Sequence, residues 1–91
     1  MIKSFRHKGL KKFFYKGDIS GINPNHANKL RFILRRLNNA CVINDLDVSG
    51  YRLHPYKNME NTWSVDVSGN YRILFQFTNG HAYIVDYLDP H

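Results

Sequence analysis

Residues 62–88 read TWSVDVSGNYRILFQFTNGHAYIVDYL, and the reading of this stretch decides the fold. Apolar and polar residues alternate through Thr62 to Val67, Tyr71 to Thr78 and Ala82 to Leu88, the period of two expected of half-buried strands. Asn79-Gly80 is a strong hairpin signal, because a type I′ turn needs positive φ at both central positions. It predicts Thr78 opposite His81 and Arg72 opposite Tyr87. The turn at Ser68-Gly69-Asn70 keeps Trp63, Val65 and Val67 on the face of Tyr71, Ile73, Phe75 and Phe77 only as a three-residue loop; a two-residue loop would flip one strand. In that register Asp66 faces Arg72, and the non-core face carries Ser64, Asp66, Arg72, Gln76, Tyr83, Tyr87 and Asp89. The tail Asp89-Pro90-His91 is thereby expected to join a site on this face.

Upstream, residues 2–5 suit a short strand. Leu10, Phe13 and Phe14 then follow i, i+3, i+4 spacing among Lys8, Lys11, Lys12 and Lys16, which predicts a short amphipathic helix ending at Gly17. Asn23-Pro24 offers an N-cap with proline at the first helical position, and Ala27, Leu30, Ile33, Leu34, Leu37 and Cys41 form the apolar stripe of a second helix running to about Asn39. Asn44 to Gly50 reads as a loop. Tyr51-Arg52-Leu53-His54 resumes strand alternation before Pro55, which puts Arg52 and His54 on the open face with Arg72, and Lys57 to Asn61 reads as a flexible loop. The expected architecture is α+β: two N-terminal helices packed on one face of a small, mainly antiparallel sheet whose other face stays polar.

Ninety-one residues suit one domain over 1–91, with a core large enough to fold but little margin. No apolar run approaches the roughly 18 residues of a membrane helix, and Met1 to Lys16 lacks the apolar stretch and small-residue cleavage site of a signal peptide. A soluble, cytoplasmic protein with no membrane association is the expectation. The single cysteine, Cys41, excludes an internal disulfide and multi-cysteine metal sites, and its helical position suits a small buried hydrophobe. The net charge of +6 is uneven: residues 1–36 hold ten of the thirteen Lys and Arg and only Asp18 among the acids. Such a surface favours a polyanion, nucleic acid above all, although an acidic protein partner would also suit it.

The open face holds the side chains that metal-free RNA cleavage needs. One group must take the proton of the 2′-OH, another must protonate the leaving 5′-oxygen, and cations must stabilise the phosphorane. His54 and His91 can share proton transfer. Arg72 with Arg52 or Lys57 can hold the phosphate, and Asp89 can orient a histidine or act as base. Tyr83 and Tyr87 are the candidate base-stacking platforms. A metal site is the poorer reading, because paired-ligand spacing is lacking and His7, His26 and His81 are scattered through turn and helix-start contexts as ordinary surface histidines. Taken singly, each feature also has a bland explanation: a strand-end histidine, a frayed terminus, or a cross-strand Asp66–Arg72 pair worth about 0.2–1 kcal/mol.

Four blocks together carry a family resemblance: Ile2-Lys3-Ser4-Phe5 with Lys8-Gly9-Leu10; Arg52-Leu53-His54-Pro55 followed by Lys57; Trp63-Ser64-Val65 with Asn70 to Phe77; and Asp86 to His91. Over nearly its whole length the sequence resembles the RelE superfamily of bacterial toxin–antitoxin modules, most closely its HigB branch. The resemblance implies a ribosome-dependent endoribonuclease, an mRNA interferase acting in the aminoacyl site without metal or other cofactor. It also implies a HigA-type helix-turn-helix antitoxin as partner, with operator DNA bound only through the antitoxin complex. By position, the family's active-site histidine matches His54, its phosphate-stabilising arginine Arg72, and its terminal acid and histidine Asp89 and His91. Lys8, Lys11, Lys12, Arg31, Arg35 and Arg36 would dock on ribosomal RNA. One departure stands out: Pro90 occupies the place of a tyrosine and cannot supply a phenol. That departure leaves open a toxin-like chain that no longer cuts and acts through its antitoxin complex on DNA, or a ribosome-binding inhibitor that blocks without cutting.

Overall fold

The computed structural model describes residues 1–89. Helix α1 spans Lys8–Lys16 and buries Leu10 and Phe13, while its lysines face outward. Gly17 closes it in the left-handed conformation, φ 72°, with its N–H on the Phe13 carbonyl at 2.9 Å. The N-cap is His7, whose Nδ1 accepts from the Leu10 N–H at 3.0 Å. Asn23 caps a 3-10 turn over Pro24–His26 that leads directly into helix α2, Ala27–Asn39. Leu30, Ile33, Leu34 and Leu37 make the buried stripe of α2, as their spacing predicts. Cys41 does not continue that stripe: it lies past the helix end and is exposed, and Ala40 is buried instead. The segment expected as a plain loop contains a 3-10 turn, Ile43–Leu46, which drives Leu46 into the core. Asp45 fixes its start by accepting from the Cys41 and Val42 N–H groups at 2.8 and 3.2 Å, bonds that hold its carboxyl below the usual range.

The sheet is antiparallel in the order β1 (His54–Pro55), β2 (Thr62–Asp66), β3 (Arg72–Thr78) and β4 (His81–Leu88). Residues 2–5 run along the outer edge of β4, joined by parallel bridges Ile2 to Ala82 and Phe5 to Val85. The predicted pairs Asp66–Arg72 and Thr78–His81 are both present. The pair Arg72–Tyr87 is not. Leu74 faces Asp86 while Gln76 faces Tyr83, so β4 has two residues, Ile84 and Val85, where β3 has only Phe75. This is a β-bulge, and Ile84 adopts φ 55° within it, a conformation that strains a β-branched side chain.

The bulge reverses the alternation of the rest of β4. Leu88 comes to face Arg72, and Tyr87, expected on the open face as an RNA-stacking residue, turns into the core. Its ring lies 5.0 Å from Tyr71, and its hydroxyl meets His26 Nδ1 at 2.6 Å and the Asn23 N–H at 3.4 Å. The three histidines expected on the surface are half-buried: His7 caps α1, His26 bonds Tyr87, and His81 buries its Nδ1. The core is completed by Val65, Ile73, Phe75, Ala82 and Val85 from the sheet against the two helices. No helix among the described residues is long and apolar enough to cross a membrane.

Burial raises the Tyr87 phenol above its ordinary value of 10.0, partly offset by the hydrogen bond from the Asn23 N–H, with the smallest effect an upward push from neighbouring Tyr71. A raised folded value means that the protonated phenol stabilises the fold fully below the unfolded value of about 10 and that this is lost as pH rises through the folded one. Tyr87→Phe is expected to cost about 1 kcal/mol at neutral pH through the lost hydroxyl bonds. It should also flatten the fall in stability above pH 10, as urea unfolding from pH 7 to 11 would measure.

Candidate active site

The open face is a grid of side chains set by register. His54, Ser64, Leu74 and Asp86 form one row across the four strands; Asp66, Arg72 and Leu88 form the next; Thr62, Gln76 and Tyr83 lie on the other side. His54 stands at the edge of this grid because Arg52 adopts φ 52°, which ends the expected strand and leaves β1 only two residues long. Tyr51 and Leu53 pack on the core as predicted, and Tyr51 still accepts from the Asp66 N–H at 2.7 Å.

Three contacts hold the imidazole. Nδ1 lies 2.6 Å from the Arg52 carbonyl, which can only accept, so Nδ1 carries a proton. In the neutral ring Nε2 is then the acceptor, and it is met by Ser64 Oγ at 3.1 Å and Arg72 Nη1 at 3.3 Å, both donors. Ser64 is fully buried and is the one polar side chain beneath the ring with no exposure at all. The proton-accepting nitrogen is thus fixed in direction and lies against a guanidinium.

Asp66 organises the cations. Its Oδ2 lies 3.6 Å from Arg52 Nε and its Oδ1 3.8 Å from Arg72 Nη1, beyond hydrogen-bonding reach, and Oδ1 is buried without a bonded partner. The carboxylate therefore acts on both guanidiniums by charge. Arg72 is two-thirds covered and Arg52 largely exposed, so the former is the more firmly positioned cation and the latter the more strongly screened by water.

An open cleft of about 400 Å³ lies beside the imidazole, lined by His54, Pro55, Tyr56 and Lys57. Lys57 thus falls where the sequence placed it, and Tyr56, half exposed at its mouth, is an aromatic next to the site that the sequence reading passed over. Only its position after the His54-Pro55 break could have signalled it. Asp89 is exposed one residue past β4, directly after Leu88, which faces Arg72. His91 and Pro90 lie outside the described residues. The six cations expected to dock on ribosomal RNA do not join this face. Lys8, Lys11, Lys12, Arg31, Arg35 and Arg36 are exposed on helices that cover the opposite side of the sheet. Two are also engaged locally, Arg31 over the Phe13 ring and Arg36 on the Asp45 carbonyl at 2.7 Å.

A sequence model described as the RelE-like toxin of the type II toxin–antitoxin system HigB matches residues 3–91. The chain belongs to this family of HigB-like toxins. It is 46% identical over 92 aligned positions to the protein named Endoribonuclease HigB from Proteus vulgaris, with the whole of both chains covered. As a member of a type II toxin–antitoxin family, the HigB-like chain has an antitoxin as its implied partner.

Replacing Asp66 by Asn leaves two guanidiniums facing each other without a counter-charge. The variant is expected to lose about 0.5–1 kcal/mol of stability at low ionic strength. The loss should shrink in high salt because Arg52 is exposed to screening. Denaturant titrations at two salt concentrations would show it.

Proposed function

We propose that this HigB-like toxin is a metal-independent endoribonuclease that cleaves mRNA held in the aminoacyl site of the ribosome and so arrests translation in the cytoplasm. The observation that carries the reading is the directed Nε2 of His54, an acceptor held 3.3 Å from the Arg72 guanidinium and open to a cleft edged by Lys57. The name of the Proteus vulgaris relative supports the same chemistry.

In this mechanism the scissile phosphate rests on Arg72, with Arg52 and Lys57 as further cations. His54 Nε2 takes the proton of the 2′-OH as general base, the 2′-oxygen attacks phosphorus, and the bond to the 5′-oxygen breaks. The leaving oxygen takes a proton from the tail, where His91 is the candidate donor and Asp89 can orient it. The products are a 2′,3′-cyclic phosphate and a 5′-hydroxyl. Arg72 contributes by charge that is already in place when the phosphorane forms. Its planar fork can grip two phosphate oxygens at once, which a lysine cannot.

The partner we propose is a HigA-type antitoxin, with operator DNA reached only through that complex. Because the helical cations sit on the far side of the sheet from His54, a contact made by Lys8, Lys11, Lys12, Arg31, Arg35 and Arg36 with ribosomal RNA would leave the catalytic face free for mRNA. Those contacts would fix orientation without reading sequence.

In programmed ribosomes His54→Ala is expected to lower cleavage at least about 100-fold. Arg72→Ala should fall by a similar factor of about 100 and Arg72→Lys by less. Circular dichroism should show each variant folded; a His54→Ala protein that cuts at the normal rate would remove the imidazole from the reaction. A separate triple variant, Lys11→Glu, Lys12→Glu and Arg35→Glu, should bind ribosomes more weakly and with a shallower dependence on salt than the parent. Unchanged binding and slope would refute docking through the helices.

A further inference from the structure

On the open face a second cleft, of about 110 Å³, lies in the same row as His54 and next to Arg72. Its floor is Leu74, two strand spacings (about 10 Å) from His54 and one pleat repeat (about 7 Å) from Arg72. A nucleotide whose phosphate lies on Arg72 can place its base over that floor. Met59 and Ile84, both about half exposed, form apolar lips on either side. Thr62, Gln76, Asp86 and Arg6 supply the polar groups.

Apart from the exposed Arg6 guanidinium at the rim, the lining is biased towards acceptors. Thr62 gives its hydroxyl proton to the Glu60 carbonyl at 3.0 Å, so it offers only lone pairs. Asp86 uses Oδ1 to accept from the Tyr87 N–H at 2.9 Å, and its other oxygen faces the exposed Arg6 at 3.9 Å, too far for a bond. The Gln76 amide adds both an acceptor and a donor. An apolar slot with acceptor-rich edges suits a flat ligand that carries an amino group.

The bulge is an independent pointer. It sets Ile84 at φ 55° and thereby places that side chain on the lip, while Asp86 is turned to the open face from the core face it would otherwise take. Strained backbone of this kind gathers at ligand sites, where it aims side chains.

We propose that this cleft is a nucleobase subsite for a residue flanking the cut, and that it selects bases bearing an exocyclic amino group, adenine, cytosine or guanine, over uracil. Gln76 and Asp86 are its reading residues, and Leu74, Met59 and Ile84 hold the ring. The inference rests on the nuclease reading above, since the phosphate that anchors the nucleotide is the one on Arg72. Amide and carboxylate edges paired to a base's donors discriminate by about tenfold or more.

The test is cleavage in programmed ribosomes of mRNAs carrying each of the four bases at each of the two positions flanking the cut. Wild-type protein is compared with Gln76→Ala and with Asp86→Asn, which keeps the oxygen that bonds the Tyr87 N–H. At one position uracil should be cut about tenfold more slowly than the other three. Both variants should bring the four rates at that position to within about twofold of each other, because the reading edge is gone. If the wild type cuts with uracil not slowest at either position, if the contrast survives both substitutions, or if the variants slow all four bases alike, the subsite is refuted and the nuclease stands. If the folded wild type cuts none of the RNAs, the nuclease reading falls and takes the subsite with it.

Discussion

The bulge at Ile84 and Val85 is the constraint on which the rest of the open face depends. A strand has a strict period of two, so one extra residue exchanges the faces of everything after it. Here that exchange puts Tyr87 against Tyr71 and His26 in the core and leaves Asp86 and Leu88 facing out beside Leu74 and Arg72. The neighbouring chain segment secures the distortion: Ser4 Oγ accepts from the Ile84 N–H at 2.9 Å, and the Ser4 carbonyl accepts from the Val85 N–H at 3.1 Å. Backbone groups that the bulge withdraws from β3 are thereby satisfied by residues 2–6, and the strain at Ile84 is held by bonds on both sides of it.

A second distortion, at Arg52, sets the imidazole. With φ at 52° the Arg52 carbonyl turns back onto His54 Nδ1, which fixes the tautomer and aims Nε2 at Ser64 and Arg72. Ser64 and Arg72 are placed by regular strands, whereas the turned-back Arg52 carbonyl is not. The face thus combines two local departures from ideal sheet geometry on a frame of paired strands, and a buried serine and an aspartate support His54 and Arg72, the two residues proposed to carry the chemistry.

Charge is divided between the two sides of the molecule. The sheet's open face carries a few cations, of which Arg52 and Arg72 lie against Asp66 and Arg72 also meets His54, whereas the helical side carries a broad, exposed polycation. The arrangement suits a protein that must be held by one nucleic acid surface while acting on another, since long-range attraction needs many exposed charges and catalysis needs a few fixed ones.

The sequence by itself determined the elements and most of the register. Apolar spacing gave α1 and α2, Gly17 marked the end of α1, Asn23-Pro24 marked the 3-10 turn that leads into α2 rather than the helix start itself, and the turn residues fixed Thr78 to His81 and Asp66 to Arg72, because these signals act within a few residues along the chain. It also named His54 and Arg72, which the structure brings to 3.3 Å. Tertiary structure alone decided which way β4 faces after its middle, because the bulge depends on a neighbouring edge segment some eighty residues away in sequence. That removed Tyr87 from the open face, and long-range packing likewise half-buried His7, His26 and His81, whereas Cys41 is exposed because α2 ends before it. Strand alternation also put Ser64 and Asp66 on the open face, but the bond of Ser64 to His54 Nε2 and the place of Tyr56 beside the imidazole were set by what the fold stacks there, and local pattern carries no record of that.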